Sequence, residues 1–324
     1  MGTSQDKMSI ITSETKVIAL KHCIECELCS LMRKIQAKTT TPQEPDYIAE
    51  LSLTFPHSLA RVLKQFFPKH RLSVTGVFCH QKPLALIAED NPYNFLNKNI
   101  MPELGDLLIV YLESINASER IINSLLLQAK KLSSFNIPKR VPEGEKHQLL
   151  LYTKWPEFEY RRAGKLNGNK RNIYPKAIHS GAEYLLIRDN QFCLTNEMCH
   201  SLMKCAVPSS FLFADKDFSS EIVDLLRFRS GRVIDDYRLP QEDGWSNVVW
   251  DLLSVCRDVT SRRRNIGRDS FGRLTEDAWS SDSNQPPSIF DSFDANNSNG
   301  DNSNEENGGI STIIIEHIGN RSLT

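Results

Sequence analysis

Between Pro102 and Leu132 the chain reads PELGDLLIVYLESINASERIINSLLLQAKKL, and its two apolar runs limit what the whole molecule can fold into. Asp106 to Glu113 and Ile121 to Lys130 have the length and apolar content of strands, and the polar SINASER between them reads as their loop. Side chains alternate faces along a strand, so Asp106, Leu108, Val110 and Leu112 share one side, and Leu107, Ile109 and Tyr111 the other. The same period groups Leu126, Gln128 and Lys130 in the second strand. If the two strands pair, a carboxylate, an amide oxygen and an ammonium converge at one end of the pair.

The rest of the chain supplies partners for this sheet. Val17, Leu20, Ile24, Leu28, Leu31 and Ile35 recur at three- and four-residue steps, which predicts an amphipathic helix over Ser13 to Ala37. The stretch KTTTPQEPDY then reads as a linker or elbow. A second helical stripe runs from Pro56 to Phe67, followed by the strand-like RLSVTGVFCH. Beyond the central pair, Glu145 to Trp155 reads as a helix stopped by Pro156, and Ala182 to Arg188 as a further strand. SSEIVDLLRFRSGRVI and WSNVVWDLLSVCRDV read as two more helices.

The expected fold is therefore α/β: helix, three strands, helix, strand, with no internal repeat. We divide the 324 residues into an N-terminal helical segment and linker (1–45), an α/β domain with C-terminal helices (46–273) and an acidic tail (274–324). The tail is too polar to offset its own ordering entropy and is expected to be disordered. Its one apolar patch, ISTIIIEHI, either adds an edge strand or remains a terminal peptide.

Asp106, Gln128 and Lys130 together have a definite chemistry. A hard cation such as Mg²⁺ prefers oxygen ligands and is commonly held by one or two carboxylates together with phosphate oxygens. Asp106 can supply the anionic ligand and Gln128 a neutral one, while Lys130 orients the attacking water and offsets charge on phosphorus. In this arrangement the chain resembles the PD-(D/E)xK nuclease superfamily over roughly Pro56 to Arg188. GDLLIVY supplies the acid at Asp106, and LLLQAKK supplies the third-strand element with Gln in its first slot. That QxK variant is similar to the Mrr-type restriction endonucleases.

The resemblance implies a restriction-endonuclease-like mixed sheet flanked by helices. It also implies hydrolysis of DNA phosphodiester bonds with Mg²⁺ or Mn²⁺, a DNA partner and, as an option, a homodimer. Asp106, Gln128 and Lys130 carry over as site residues, with Glu103 as an additional acid. The acid often found on the first helix of that family is missing from Pro56 to Phe67, where the nearest is Glu50. In the competing reading Asp106 is a turn residue after Gly105, Lys130 and Lys131 are a solvated strand end, and the chain is a non-catalytic binding or interaction module.

Charge distribution is compatible with a polyanionic partner. The chain has 39 basic and 40 acidic residues; residues 274–324 hold nine acids and one base, which leaves 38 bases and 31 acids, a net of +7, before them. EYRRAGKLNGNKR gathers Arg161, Arg162, Lys165, Lys170 and Arg171 in a glycine-containing loop suited to phosphate contacts. Arg257, Arg262, Arg263, Arg264 and Arg268 form a second basic run.

Eight cysteines without a secretory signal suggest reduced thiols and a cytoplasmic location. Cys23, Cys26 and Cys29 stand three apart; Cys26, Cys29, Cys79 and His80 form a conceivable structural Zn²⁺ set. The helical apolar pattern around the triple instead favours cysteine as a small core hydrophobe. No run approaches the roughly 20 apolar residues of a membrane span. No phosphate-binding GxxxxGKS loop, GxSxG elbow or HExxH helix occurs.

Overall fold

Three helices open the chain: α1 (Glu14–Lys38), α2 (Glu44–Leu53) and α3 (Phe55–Phe66). They are followed by β1 (Arg71–Val77), β2 (Leu84–Ile87), β3 (Leu107–Ser114), β4 (Arg120–Leu132) and β5 (Lys139–Arg140). Next come α4 (Lys146–Lys154), β6 (Phe158–Arg161), β7 (Lys170–Arg171), β8 (Ala182–Arg188), β9 (Met203–Ala206), β10 (Phe211–Leu212) and β11 (Lys216–Asp217). The chain closes with α5 (Phe218–Leu226), β12 (Arg232–Ile234), α6 (Gly244–Arg262) and β13 (Ser311–Ile318). The structure, a computed structural model, describes residues 13–38, 41–79, 82–87, 101–114, 119–176, 181–188, 201–237, 244–262, 289 and 309–318, but not the side chains of 257–262 and 318.

The main sheet has eight strands in the order β1-β13-β3-β4-β8-β9-β11, with β12 also paired to β4. It is mixed: β3 runs antiparallel to β4, whereas β4 is parallel to β8 and β13 is parallel to β3. Leu107 lies opposite Leu127 and Leu108 opposite Leu126, so the two apolar runs of the sequence do pair, through residues 115–119. Their continuous apolar character follows from burial on both faces. Leu108, Val110 and Leu112 point into one core with Tyr152, Trp155 and Trp245. Leu107, Ile109 and Tyr111 point into the other, against α1, α2, α3 and α5. Among the described residues no helix is long and apolar enough to cross a membrane.

Several expectations are corrected by long-range packing. The supposed elbow holds α2, and the boundary placed at residue 45 falls inside it. Pro45 is tolerated in a first helical turn, and Asp46 closes that turn by accepting a hydrogen bond from the Gln43 amide at 2.7 Å. Nor is α1 a separate segment: the six apolar residues of its stripe are buried in the same core as the sheet. The helix expected through Ile234 ends at Leu226, and Gly231, at φ 74°, turns the chain into β12.

The largest correction concerns the expected tail. ISTIIIEHI is neither an edge strand nor a loose peptide, because β13 lies inside the sheet between β1 and β3. Ile313 and Ile315 enter one core and Ile314 the other, so the run is apolar on both faces, as suits a strand covered on both sides. Residues 274–288 and 290–308 of the expected disordered tail lie outside the described residues.

Candidate functional site

The candidate site forms where β3 begins. Just before it, residues 102–104 pair with 83–85: the Ala85 amide donates to the Pro102 carbonyl and the Leu104 amide to the Pro83 carbonyl, both at 2.9 Å. The chain then passes Gly105, where a Cβ would stand 2.7 Å from Leu126 Cδ1 and 3.1 Å from the Tyr152 hydroxyl oxygen. Any larger residue would have to displace the Leu126 side chain. Tyr152 of α4 donates to the Leu104 carbonyl at 2.8 Å and fixes the turn. The Asp106 amide donates to the Leu127 carbonyl at 2.8 Å, setting the aspartate beside Gln128.

Asp106 is 1 % exposed and Gln128 4 %. Asp106 Oδ2 accepts a hydrogen bond from the Ala129 amide at 2.7 Å and another from Gln128 Nε2. Because the carboxylate needs a donor, the amide must turn its nitrogen toward Asp106. Gln128 Oε1 is thereby left buried without a hydrogen-bond partner. Carboxylate and amide oxygens are the ligand types a hard divalent cation prefers, and here Asp106 Oδ2 already accepts two hydrogen bonds while Oδ1 faces Lys82.

Asp106 Oδ1 meets the ammonium of Lys82, which also reaches Glu103 Oε2 at 3.0 Å. Burial raises the Asp106 carboxyl above its ordinary pKa, and the charge of Lys82 only partly offsets this. Burial works against charge on Lys82 as well, but Asp106 and Glu103 outweigh it and hold its pKa above that of a free lysine.

The structure thus brings Glu103, Asp106 and Gln128 together. Lys130 lies further along the same strand face as Gln128, and its Nζ is 3.2 Å from Glu145 Oε2 at the start of α4. It is held by Glu145 rather than by Asp106. Asp106 does sit in the bend after Gly105, but buried, and the end of β4 is engaged rather than solvated, since the Lys131 amide donates to Glu44 Oε1 at 2.9 Å.

The sequence reading missed Lys82 and Glu145. Lys82 has no periodicity to mark it, and only the pairing of residues 83–85 with 102–104 carries it to the acids. In the sequence Glu145 marks only the start of a helix. Glu50, the acid nearest to the expected first helix, belongs to α2, which packs on the opposite core, and accepts a hydrogen bond from Thr54 Oγ1 at 2.6 Å. It is not part of this site.

The expected basic loop lies beside the site in a three-stranded sheet, β2-β6-β7. Arg161 is opposite Leu84, whose other backbone neighbour is Glu103. Arg161, Arg162, Lys165 and Lys170 are exposed, with Arg161 2.7 Å from Glu159. Arg171 is engaged differently: its guanidinium makes bonds of 2.6 and 3.0 Å to both oxygens of Asp251 and lies over the Tyr160 ring, so it anchors α6. In the second basic run, Arg257 and Arg262 fall within α6, and Arg263, Arg264 and Arg268 lie outside the described residues.

The proposed zinc set is not assembled. Cys29 is buried among the α1 contacts and Cys26 is exposed on the same helix, whereas Cys79 packs in the core on the other side of the sheet. His80 lies outside the described residues. The sheet itself separates these thiols. Comparison of the chain with protein-family models, with curated proteins and with solved structures gave no match in any of the three.

Proposed function

We propose that this chain is a metal-dependent nuclease of the PD-(D/E)xK type that hydrolyses DNA phosphodiester bonds. The observation that carries the reading is the buried Asp106–Gln128 pair, whose hydrogen bond leaves the Gln128 carbonyl oxygen without a partner. With β2, β5, β6 and β7 set aside because they belong to smaller sheets, the order α3, β1, β3, β4, α4, β8 supports it too, since it follows the helix, three strands, helix, strand order of that superfamily. The position of β13 between β1 and β3 departs from a simple meander.

Asp106, Gln128 and Glu103 would hold Mg²⁺ or Mn²⁺, which when bound supplies a Lewis acid for a phosphoryl oxygen and for water. The Ala129 amide and the Gln128 amide nitrogen fix the Asp106 carboxylate, and Glu145 holds Lys130 on the same face. In this reading Lys130 would orient water and offset negative charge on the phosphate. The exposed Arg161, Arg162, Lys165 and Lys170 offer contacts to the DNA backbone that are independent of base sequence.

One observation favours the second reading, a non-catalytic nucleic-acid-binding or interaction module. Lys82 already pairs with both acids, as in a structural ion-pair cluster. Cleavage of plasmid and linear DNA by the purified chain, with and without Mg²⁺ or Mn²⁺, separates the two. We expect metal-dependent cutting that is lost in Asp106→Asn and Lys130→Ala while DNA binding persists. Salt-sensitive DNA binding by the parent without cutting would establish the second reading instead.

A further inference from the structure

On the side of the sheet away from Asp106 lies another group of ligand-bearing side chains. Glu183 of β8, Cys205 of β9 and Glu221 of α5 each present one ligand atom, all within 4.8 Å of one another. Glu221 is 1 % exposed and Cys205 2 %, whereas Glu183 is only partly buried and forms the solvent side of the group. Lys216 of β11 pairs with Glu221 Oε2 at 2.6 Å and with Asp224 at 2.7 Å. Glu221 Oε1 has no hydrogen-bond partner despite its burial. Glu221 therefore shares one lysine with Asp224, and its other carboxylate oxygen is left unsatisfied in a group that includes a thiol.

We propose that Glu183, Cys205 and Glu221 form a second metal site, selective for Zn²⁺ over Mg²⁺. The thiol decides the metal: a thiolate is a soft ligand suited to Zn²⁺, whereas Mg²⁺ demands an all-oxygen, near-octahedral shell. Three protein ligands with one side open to solvent also match a tetrahedral zinc completed by water. A cation entering here displaces the thiol proton and any proton held by the carboxylates, while Lys216 retains Asp224 as its partner.

The test uses the full chain, stripped of metal with a chelator and titrated with Co²⁺ as a spectroscopic probe for zinc. One equivalent of Co²⁺ should produce thiolate-to-cobalt charge-transfer absorption, abolished by Zn²⁺ and unaffected by excess Mg²⁺. Cys205→Ser should lose this absorption, and Asp106→Asn should keep it. Because Cys205 is buried, Glu183→Gln at the solvent side provides a second variant, expected to weaken Co²⁺ binding at least about tenfold. The proposal is overturned if the parent chain shows no such absorption, if folded Cys205→Ser retains it, or if Glu183→Gln binds Co²⁺ as tightly as the parent.

Discussion

Lys82 sets the electrostatics of the candidate site. It reaches a fully buried aspartate and a partly exposed glutamate from a loop, and its removal would leave Asp106 with hydrogen bonds but no counter-charge. Breaking a buried pair on one side costs about 3 kcal/mol. Lys82→Met is therefore expected to melt well below the parent in chelator, and added Mg²⁺ should recover more of the difference in the variant than it adds to the parent. Equal melting temperatures in chelator would remove Lys82 from this account. A second residue-scale prediction concerns His70, whose Nδ1 lies 2.7 Å from His317 Nε2. Burial, and then His317, lowers the His70 pKa; Glu113 opposes this and Lys16 adds to it. A lowered pKa means that the folded protein holds the proton less tightly than the unfolded chain does. The stabilisation is thus present above about pH 6.5 and is lost as pH falls through the folded value. Thermal melts at about pH 7 and about pH 5 should show a smaller acid-side loss in His70→Gln than in the parent.

At the scale of elements, β13 is the test of the architecture. It pairs along its length with β1 on one side and β3 on the other, and its isoleucines fill both cores. Burying one such side chain contributes about 1.5–3 kcal/mol, so three approach the whole net stability of a typical domain. Truncation after Arg273 should abolish cooperative unfolding by circular dichroism and calorimetry. Ile314→Asp, which keeps the backbone, should lower the melting temperature sharply. A truncated chain that melts like the parent would mean that β1 and β3 close the sheet without β13.

For the whole molecule, the charge imbalance carries the prediction about DNA, which rests on the nuclease reading. Residues 1–273 have a net charge of +7, and the segment 274–308 holds eight of the nine acids that follow. Binding through phosphates releases counterions, so the affinity of the full chain for duplex DNA should fall steeply between low and high salt. If the acids compete with DNA, neutralising those eight with Asn and Gln should tighten non-specific binding, and most at low ionic strength, where screening is weakest. Leaving Ile289 and β13 in place keeps the comparison free of the folding effect expected from truncation. Unchanged affinity in the neutralised variant would sink the competition between acids and DNA, and a salt-independent affinity would remove DNA as the partner.

What the sequence determined by itself was set by covalent geometry. A period of two in the strands put Asp106 with Leu108 and Gln128 with Lys130, and steps of three and four in α1 named the residues that are buried there. These patterns are local and survive any arrangement that covers the sheet. Tertiary structure alone decided which distant segment completes each face. The pairing of residues 83–85 with 102–104 delivers Lys82 to the acids, and the run from Ile313 to Ile315 takes an interior place, paired with β1 on one side and β3 on the other. The same sheet that gathers Glu103, Asp106 and Gln128 holds Cys26 and Cys29 apart from Cys79, although sequence spacing grouped them. Spacing along the chain fixes only which side chains can share a face; which faces meet depends on long-range burial, and no periodicity records that.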